Sequence, residues 1–381
     1  MAHSRVNSIT GIVLAGVHKW DNSGFDELLP RSLMPVAHTP LICHVLGWLR
    51  EAGIAQTTIC ASGASRQLRR RLGDGAALGI DLHYYEDWTP RGPAGCIRDS
   101  AAHFGAERVI VVDAALLPVG CDLSAALDEH ARSGAAMTVV AADDPDGSGE
   151  AGGHLVPVGM YVLDRSVLDE IPETGYQDVK EMLLPRLYEK GVCVRSHVLS
   201  TPCPRLTDAA SYLMLNAWML EQLVHGREPT LPDYRLVGRS LVHETVHLAS
   251  PGRLVGTVLI GPHSAIAPDS TIVGPTTIGA ECVIESAAVI CRSVLWDRCR
   301  VGPGASIDHY VLGENVQIEE GARLFHTEWA SESSRPCYLP RPPCPRPPVV
   351  PTSPEASQQP SSNADESEPT GRSPAGAMEH L

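Results

Sequence analysis

Several residues in this sequence stand where chemistry is often done. The apolar run Ile9–Ala15 (ITGIVLA) stops at Gly16, whose missing Cβ lets a backbone approach a ligand closely. The run Arg108–Asp113 (RVIVVD) is aliphatic throughout and ends in a carboxylate. Ligands of open α/β sheets sit beyond the carboxyl ends of the strands, so Asp113 is placed to meet one. Taken alone, the same carboxylate serves equally well as a cap for the following turn. The basic run Arg66–Arg71 (RQLRRR) reads as the solvated face of a helix, with an anion or partner patch as the alternative. Eleven cysteines are scattered without a CxxC pair, which suggests no zinc site and small buried fillers instead. Cys337 and Cys344 fall in a Pro-rich tail and carry no assigned chemistry.

The elements that must hold these residues alternate. Ile9–Ala15, Thr57–Ala61, Leu82–Tyr85, Arg108–Asp113 and Met137–Ala141 read as strands. Between them, Pro40–Ala52, Ser65–Leu72, Ala94–Phe104 and Leu123–Arg132 read as helices. Thr39 is the expected N-cap of the first, Pro40 its first residue and Gly53 its stop. A strand at Val156–Val162, a helix at Val179–Lys190, a strand at Val192–Leu199 and a helix at Asp208–Leu223 follow. This rhythm predicts a mostly parallel sheet covered on both faces, a Rossmann-like α/β domain over 1–223, with a connector at 224–243.

The period then changes to six. Ile260, Ile266, Ile272, Ile278, Ile284 and Ile290 recur at that interval, each of the first five followed four positions later by a small residue: Ser264, Ser270, Thr276, Cys282 and Ala288. Leu295, Val301, Ile307, Leu312 and Ile318 continue the series with two steps shortened to five. Such a repeat predicts a short left-handed parallel β-helix over 244–326, with the aliphatic residue inward and the small residue allowing the corner. His263 and His309 fall in this region. Acyltransferases of this fold use a histidine base at a subunit interface, but no acetyl-CoA-binding extension accompanies them here. Residues 327–381 form a Pro/Ser-rich tail; 12 of the chain's 31 prolines lie in 335–381, a composition that predicts disorder, with polyproline II docking as an alternative.

Composition narrows the function classes. The formal net charge of −15 argues against nucleic-acid binding, which needs clustered cations. Residues 1–8 are polar, no secretory signal is visible and no apolar run is long enough to span a bilayer, so a cytoplasmic protein without membrane association is expected.

An α/β domain followed by hexads, with several local motifs, resembles the sugar-1-phosphate nucleotidylyltransferases. The likeness is to the mannose-1-phosphate guanylyltransferase and glucose-1-phosphate adenylyl- or thymidylyltransferase group. Leu14-Ala15-Gly16 and Pro30–Val36 (PRSLMPV) match the opening loop and the P-K-x-L-x-P-V segment. Gly92-Pro93-Ala94-Gly95-Cys96 is similar to G-T-A-G-A. Asp113 falls on the family's magnesium-binding aspartate. Gly159–Val162 (GMYV), Tyr176–Leu187 (YQDVKEMLLPRL) and Tyr212-Leu213 with Asn216 match later motifs. The resemblance implies a transferase in which a sugar-1-phosphate attacks a nucleoside triphosphate with Mg2+ present. It implies catalytic roles for Arg31 and Asp113, with Asp113 also the metal ligand. Leu14, Ala15, Gly16, Gly92, Ala94 and Gly95 would hold the nucleotide and Gly159 the sugar. The implied partners are a nucleotide or NDP-sugar, and a second copy or a related chain docked through the β-helix.

The match breaks where charge matters most. The loop's two glycines fall on Val17 and Lys19, its threonine on Trp20 and its arginine on Asp21, a carboxylate facing a polyanion. His18 and Lys19 read as solvent-exposed loop residues or as a rearranged phosphate clamp. Arg31 replaces a lysine, keeping charge but not geometry. The E-K-P segment is absent between Val140 and Val156, and Pro157 replaces an asparagine. The second magnesium aspartate falls on Arg205, with Asp208 nearby as a substitute. Losses at triphosphate, sugar and metal positions together imply weakened or lost catalysis and a sugar-nucleotide-binding or regulatory role. The alternative is an active, divergent enzyme releasing pyrophosphate.

Overall fold

The computed structural model describes residues 9–16, 29–63, 65–102, 104–143, 155–201, 203–226, 231–248 and 253–330, the last five by backbone only. The loop at 17–21, the 144–154 segment and the tail beyond 330 lie outside the described residues, so the expectations placed on them stay as expectations.

Strands of five to ten residues, most of them aliphatic, build the first region. β1 (Ile9–Leu14), β4 (Gln56–Ala61), β5 (Asp81–Glu86), β6 (Arg108–Asp113), β7 (Met137–Asp143), β8 (Leu155–Asp164) and β9 (Val194–Val198) form one sheet, while β2 (Pro35–Val36) and β3 (Thr39–Pro40) make a small ladder apart from it. The sheet order is β5-β4-β1-β6-β8-β7-β9, and β8 alone runs antiparallel to both neighbours. The mostly parallel sheet expected from the aliphatic runs is therefore present. Ile12, Val13, Val111 and Val112 are buried because helices cover both faces.

One cap differs from expectation. Thr39 and Pro40 pair with Pro35 and Val36, so the first helix, α1 (Leu41–Glu51), begins one residue later and Pro40 is its N-cap, without a side-chain cap bond. The ladder removes Thr39 from the capping role because its backbone is already extended. The predicted helix at Val179–Lys190 is also subdivided. It opens as a π-helical turn, Val179–Leu183, capped by Asp178, and continues as α-helix over Leu184–Glu189. Pro185, the second residue of that α-helix, supplies no N–H, which favours a break in the ladder there.

The second region is a β-helix. Register partners lie one coil apart: Ile260 faces Ile278 and Ile266 faces Ile284, each 18 residues on, three hexads. After the shortened steps the spacing becomes 17, as in Ile278 with Leu295 and Ile284 with Val301. The inward residues Ile260, Ile272, Ile278, Ile290, Val301, Ile307 and Leu312 are all buried in one cluster. The small residues Ser264, Ser270, Thr276, Cys282 and Ala288 are buried too.

The corner itself is made by the residue before several of them. His263, Glu281 and Arg298 have φ of 58°, 54° and 59°, and Asn315 repeats the position at 61°. The small residue makes room inside, and its neighbour takes the left-handed bend. His263 is thus a corner residue, while His309 takes a similar φ of 51° inside the strand Ser306–Leu312, at the register slip between Asp308 and Tyr310.

A stretch read as connector also folds: β10 (Tyr234–Val237) and β11 (Ser240–His243) form a hairpin around Gly238, and β11 pairs parallel with Val258–Ile260.

The last long helix joins the two regions. It spans Ala209–Val224 and starts with a capping box, Asp208 accepting from the Ser211 N–H at 2.7 Å and Ser211 Oγ accepting from the Asp208 N–H at 2.8 Å. Tyr212, Leu215, Met219 and Leu223 pack with Met34, Leu41 and Leu117 from the sheet region and with Leu259, Val294 and Val311 from the coils. Leu259, Thr277, Val294 and Val311 are register partners stacked as one outward column of the β-helix. A fully buried leucine contributes about 1.5–3 kcal/mol, so this cluster fixes the helix firmly between its neighbours. Tyr212 donates its hydroxyl to the Pro35 carbonyl and accepts from Trp296 Nε1 at 2.9 Å, and Asn216 Oδ1 accepts from the Ala37 N–H at 3.1 Å. The Y-L-x-x-N positions thus fasten helix to loop.

Candidate functional site

β1 and β6 lie side by side in parallel register with Leu14 opposite Asp113, so the first loop and the carboxylate leave the sheet at the same edge. Ala15 is buried and donates its N–H to the Cys60 carbonyl at 2.8 Å, while Gly16 is exposed with open space where a Cβ would stand. Arg31 opens the 3-10 turn Arg31–Leu33 that follows, and is half-buried.

Beside Asp113 lies Gly159. The β7–β8 register slips between Val140 and Ala141, so that Val140 faces Met160 but Ala141 faces Pro157. The slip leaves Val158 and Gly159 unpaired, and Gly159 takes the bend with φ 96°. A Cβ there would stand 3.3 Å from Asp113 Cβ and 3.3 Å from Arg205 Nη1. Three positions singled out from sequence therefore converge: Asp113, Gly159 and Arg205.

Arg205 arrives on an extended segment. The Leu117 N–H donates to the Pro204 carbonyl at 2.9 Å and the Leu206 N–H to the Ala115 carbonyl at 2.8 Å, with Arg205 bridged to Leu116. This pairing holds the guanidinium over the end of β6, where it forms an ion pair with Asp113 Oδ2. The other oxygen, Oδ1, accepts from the Ala115 N–H at 2.8 Å. One oxygen caps the turn, and the other pairs with a cation that belongs to the chain itself. Tyr161, on β8 beside the pair, has its phenol pushed up to about 12 by burial, with Asp178 and Asp113 adding to the rise and Arg205 opposing it.

The donor set can be tested against Mg2+. That ion asks for near-octahedral oxygen ligands and is usually held by one or two carboxylates plus phosphates. Here the single carboxylate is shared between an N–H and a guanidinium, and the position expected to supply a second carboxylate supplies a positive charge. Asp208 is spent as the N-cap of the long helix. Among the described residues no group of three or more His, Cys, Asp or Glu could hold a metal. The residues present do not fit Mg2+.

The Gly92–Gly95 turn also has its space assigned. Helix α3 (Gly92–Ala101) begins at Gly92 with φ 75°; a Cβ there would stand 2.5 Å from the Gln177 carbonyl oxygen. Ala94 N–H donates to that carbonyl at 3.0 Å, and Gln177 N–H donates to the Arg91 carbonyl at 2.7 Å. At Gly95 a Cβ would lie 2.8 Å from Arg91 Cβ. Both glycines are thus needed for protein-to-protein approach.

Arg91, which sequence reasoning passed over, is the hub. It is 7% exposed, pairs with Asp99 at 2.9 Å and donates to the Gly175 and Pro172 carbonyls at 2.6 and 2.9 Å. No motif marked it; only an arginine directly before a helix start, with Asp99 eight residues on, hinted at a clamp.

Of the nine described cysteines, Cys60, Cys96, Cys121, Cys282 and Cys299 are buried, as small fillers would be, whereas Cys193 is exposed. No helix among the described residues is long and apolar enough to cross a membrane.

Comparison with known proteins sets this geometry in context. Residues 27–150 match the nucleotidyl transferase family and residues 254–332 match the GMPPB C-terminal domain family. The chain is 26% identical over 313 residues to a mannose-1-phosphate guanylyltransferase of Mycobacterium tuberculosis, covering 77% of this chain and 76% of that protein. It is 27% identical over 328 residues to the bifunctional protein GlmU of Heliobacterium modesticaldum, covering 77% of this chain and 64% of that longer protein. A glucose-1-phosphate thymidylyltransferase of Streptomyces antibioticus is 23% identical over 315 residues, with 76% and 88% covered.

Proposed function

The chain belongs to the sugar-1-phosphate nucleotidylyltransferase family, and we propose that within it this protein is a catalytically silent member that binds a nucleotide or sugar nucleotide and regulates a related, intact enzyme. The observation that carries this reading is the Asp113–Arg205 ion pair. An active site of this family gathers negative charge around Mg2+ so that the cation can neutralise the phosphates of both substrates. Here a guanidinium stands against the carboxylate, and the local charge sums to zero before any ligand arrives. A divalent cation would have to displace Arg205 and would then face it at short range.

The same guanidinium suits a bound product. Arg205 is partly exposed, at 38% of its side chain, and a planar fork can meet a diphosphate without metal. Gly159, the position at which the family meets the sugar, lies directly beside the pair. The charge reversal at Asp21 and the absent E-K-P segment weaken triphosphate and sugar-phosphate binding in the same direction. The coil stack offers the surface through which a related chain would dock.

An active, divergent enzyme is the second reading. It draws on Asp113 itself, which keeps its place at the carboxyl end of β6, and on the transferase names of the relatives. It requires Arg205 to withdraw during turnover.

Pyrophosphate release separates the two. The assay combines GTP, ATP, UTP or dTTP with Mg2+ and mannose- or glucose-1-phosphate. The silent reading expects no release above a protein-free control. Turnover that disappears in Asp113→Ala would overturn it. Thermal-shift titration with GDP-mannose and dTDP-glucose then tests binding: a sugar-nucleotide sensor gains stability with one of them in the absence of Mg2+.

A further inference from the structure

A cleft of about 920 Å³ opens where the first region faces the coils. Its apolar floor is made by Leu33, Pro40, Leu295 and Trp296. One wall is the last turn of helix α2 (Ser65–Leu72), which presents Arg70 and Arg71; the opposite wall carries Asp297 and Glu314. None of its lining residues belongs to the Asp113–Gly159–Arg205 cluster.

The charges of the two walls do not cancel. Asp297 Oδ1 accepts the Ala280 N–H at 2.8 Å, and Glu314 is ion-paired with Arg298. Arg70 and Arg71 are exposed and make no hydrogen bond or ion pair with any described residue. Glu314 is neutralised by Arg298, so one acidic charge, on Asp297, stands against the two arginines.

A third observation is independent of charge. Thr277 lines the cleft, is 3% exposed, and its buried hydroxyl has no hydrogen-bond partner among the described residues. Its register partners in the outward column, Leu259 and Val294, are aliphatic. A buried hydroxyl left unpaired costs free energy that an aliphatic residue at the same place would not, so its presence calls for a partner.

We propose that this cleft is a second ligand site that takes a nucleoside phosphate, with the base lying on Trp296 and Pro40, the phosphates on Arg70 and Arg71, and Thr277 as a hydrogen-bonding contact. The volume suits such a ligand, since small-molecule sites span about 300–1,000 Å³. Free phosphate leaves the apolar floor unused, and an uncharged ligand leaves both guanidiniums unpaired. A nucleoside phosphate answers both, by stacking on the aromatic face and by charge-assisted hydrogen bonds. Because the walls come from the sheet region and the coils together, an occupied cleft ties them to one another.

The test is calorimetric titration of the full chain with GTP and ATP, alongside tripolyphosphate as the base-free probe. Four proteins are compared: wild type, Arg70→Ala/Arg71→Ala, Thr277→Val and Arg205→Ala. One nucleotide is expected to bind the cleft. The double arginine variant weakens that binding about tenfold or more, as the loss of charge-assisted bonds implies. Thr277→Val weakens it less, while raising the melting temperature without ligand, because the unpaired hydroxyl is gone. Arg205→Ala alters only binding at the Asp113 site and leaves the cleft component, the part lost in the double arginine variant, in place. Unaltered affinity in the double variant overturns the proposal, as does tripolyphosphate binding as tightly as the nucleotides. Nucleotide binding lost only in Arg205→Ala also overturns it, while leaving the reading of the Asp113 site intact. Cleft binding without any response to sugar nucleotides fails that reading and supports this one.

Discussion

The two regions of this chain use the same covalent material, short aliphatic strands, in opposite ways. In the coil stack every third of a turn repeats the last, and each residue's job follows from its place in the hexad. In the sheet region the decisive contacts join residues far apart in sequence: Arg205 with Asp113, Gln177 with Gly92, Arg91 with Gly175. Repetition makes a scaffold that tolerates change outside and resists it inside. Long-range pairing makes a site whose chemistry one substitution can invert.

The sharpest way to break the coil half of the comparison is to put charge inside it. Ile290→Asp places a carboxylate among Ile272, Ile307 and their neighbours with no partner, and the expected loss exceeds about 4 kcal/mol, read as loss of a cooperative melt. Ile290→Ala is expected to cost about 2–5 kcal/mol at the same position. The sheet half is tested at Gly92. Its φ of 75° and the Gln177 carbonyl 2.5 Å from any Cβ make Gly92→Ala cost about 2–3 kcal/mol, measured by denaturant unfolding. A mild effect there would show that the turn has slack for a ligand.

The junction between the regions carries a pH signature. His38 is wedged between Tyr234 Oη and the Ile278 carbonyl, each 2.9 Å from a ring nitrogen, and desolvation holds its pKa down at about 4 despite the favourable Ile278 and Asp297 contributions. A histidine whose folded pKa is depressed takes up its proton more readily when unfolded. Stability is therefore full above about pH 6.5 and falls as pH drops toward 4, by at most about 3 kcal/mol. His38→Gln should flatten that part of the stability profile; an unchanged slope would place the acid sensitivity elsewhere. The smallest effect is expected on the coil surface. Arg298→Ala removes an exposed pair with Glu314 and should shift stability by less than about 1 kcal/mol.

These differences also mark what the sequence could say. Six isoleucines at one interval disclose the coils, and even the two shortened steps reappear as the change of register from 18 to 17 residues. The aliphatic strands disclose the sheet. The bend at His263, Glu281 and Arg298 was not legible, because these residues share no chemistry; only their place before a small residue defines them. The apolar outward column at Leu259, Val294 and Val311 is hidden for a related reason, since its meaning depends on the helix Ala209–Val224, far back in the chain. At the site, Asp113 and Gly159 were legible from motif and position. Arg205 was noticed as an absence, the missing second aspartate, and its partnership with Asp113 arises only when the 203–206 segment pairs beside 115–117.

The chemistry of the site turns on whether Asp113 is satisfied by Arg205 or remains free to hold a cation. Titration with Mn2+, followed by the loss of its free paramagnetic signal, measures that directly. The wild-type chain is expected to leave the Mn2+ signal undiminished at millimolar metal, and Arg205→Asp, which restores the second carboxylate, to acquire a binding site that Asp113→Ala/Arg205→Asp loses. A wild-type chain that takes up one equivalent of Mn2+ and loses it on Asp113→Ala would contradict the account.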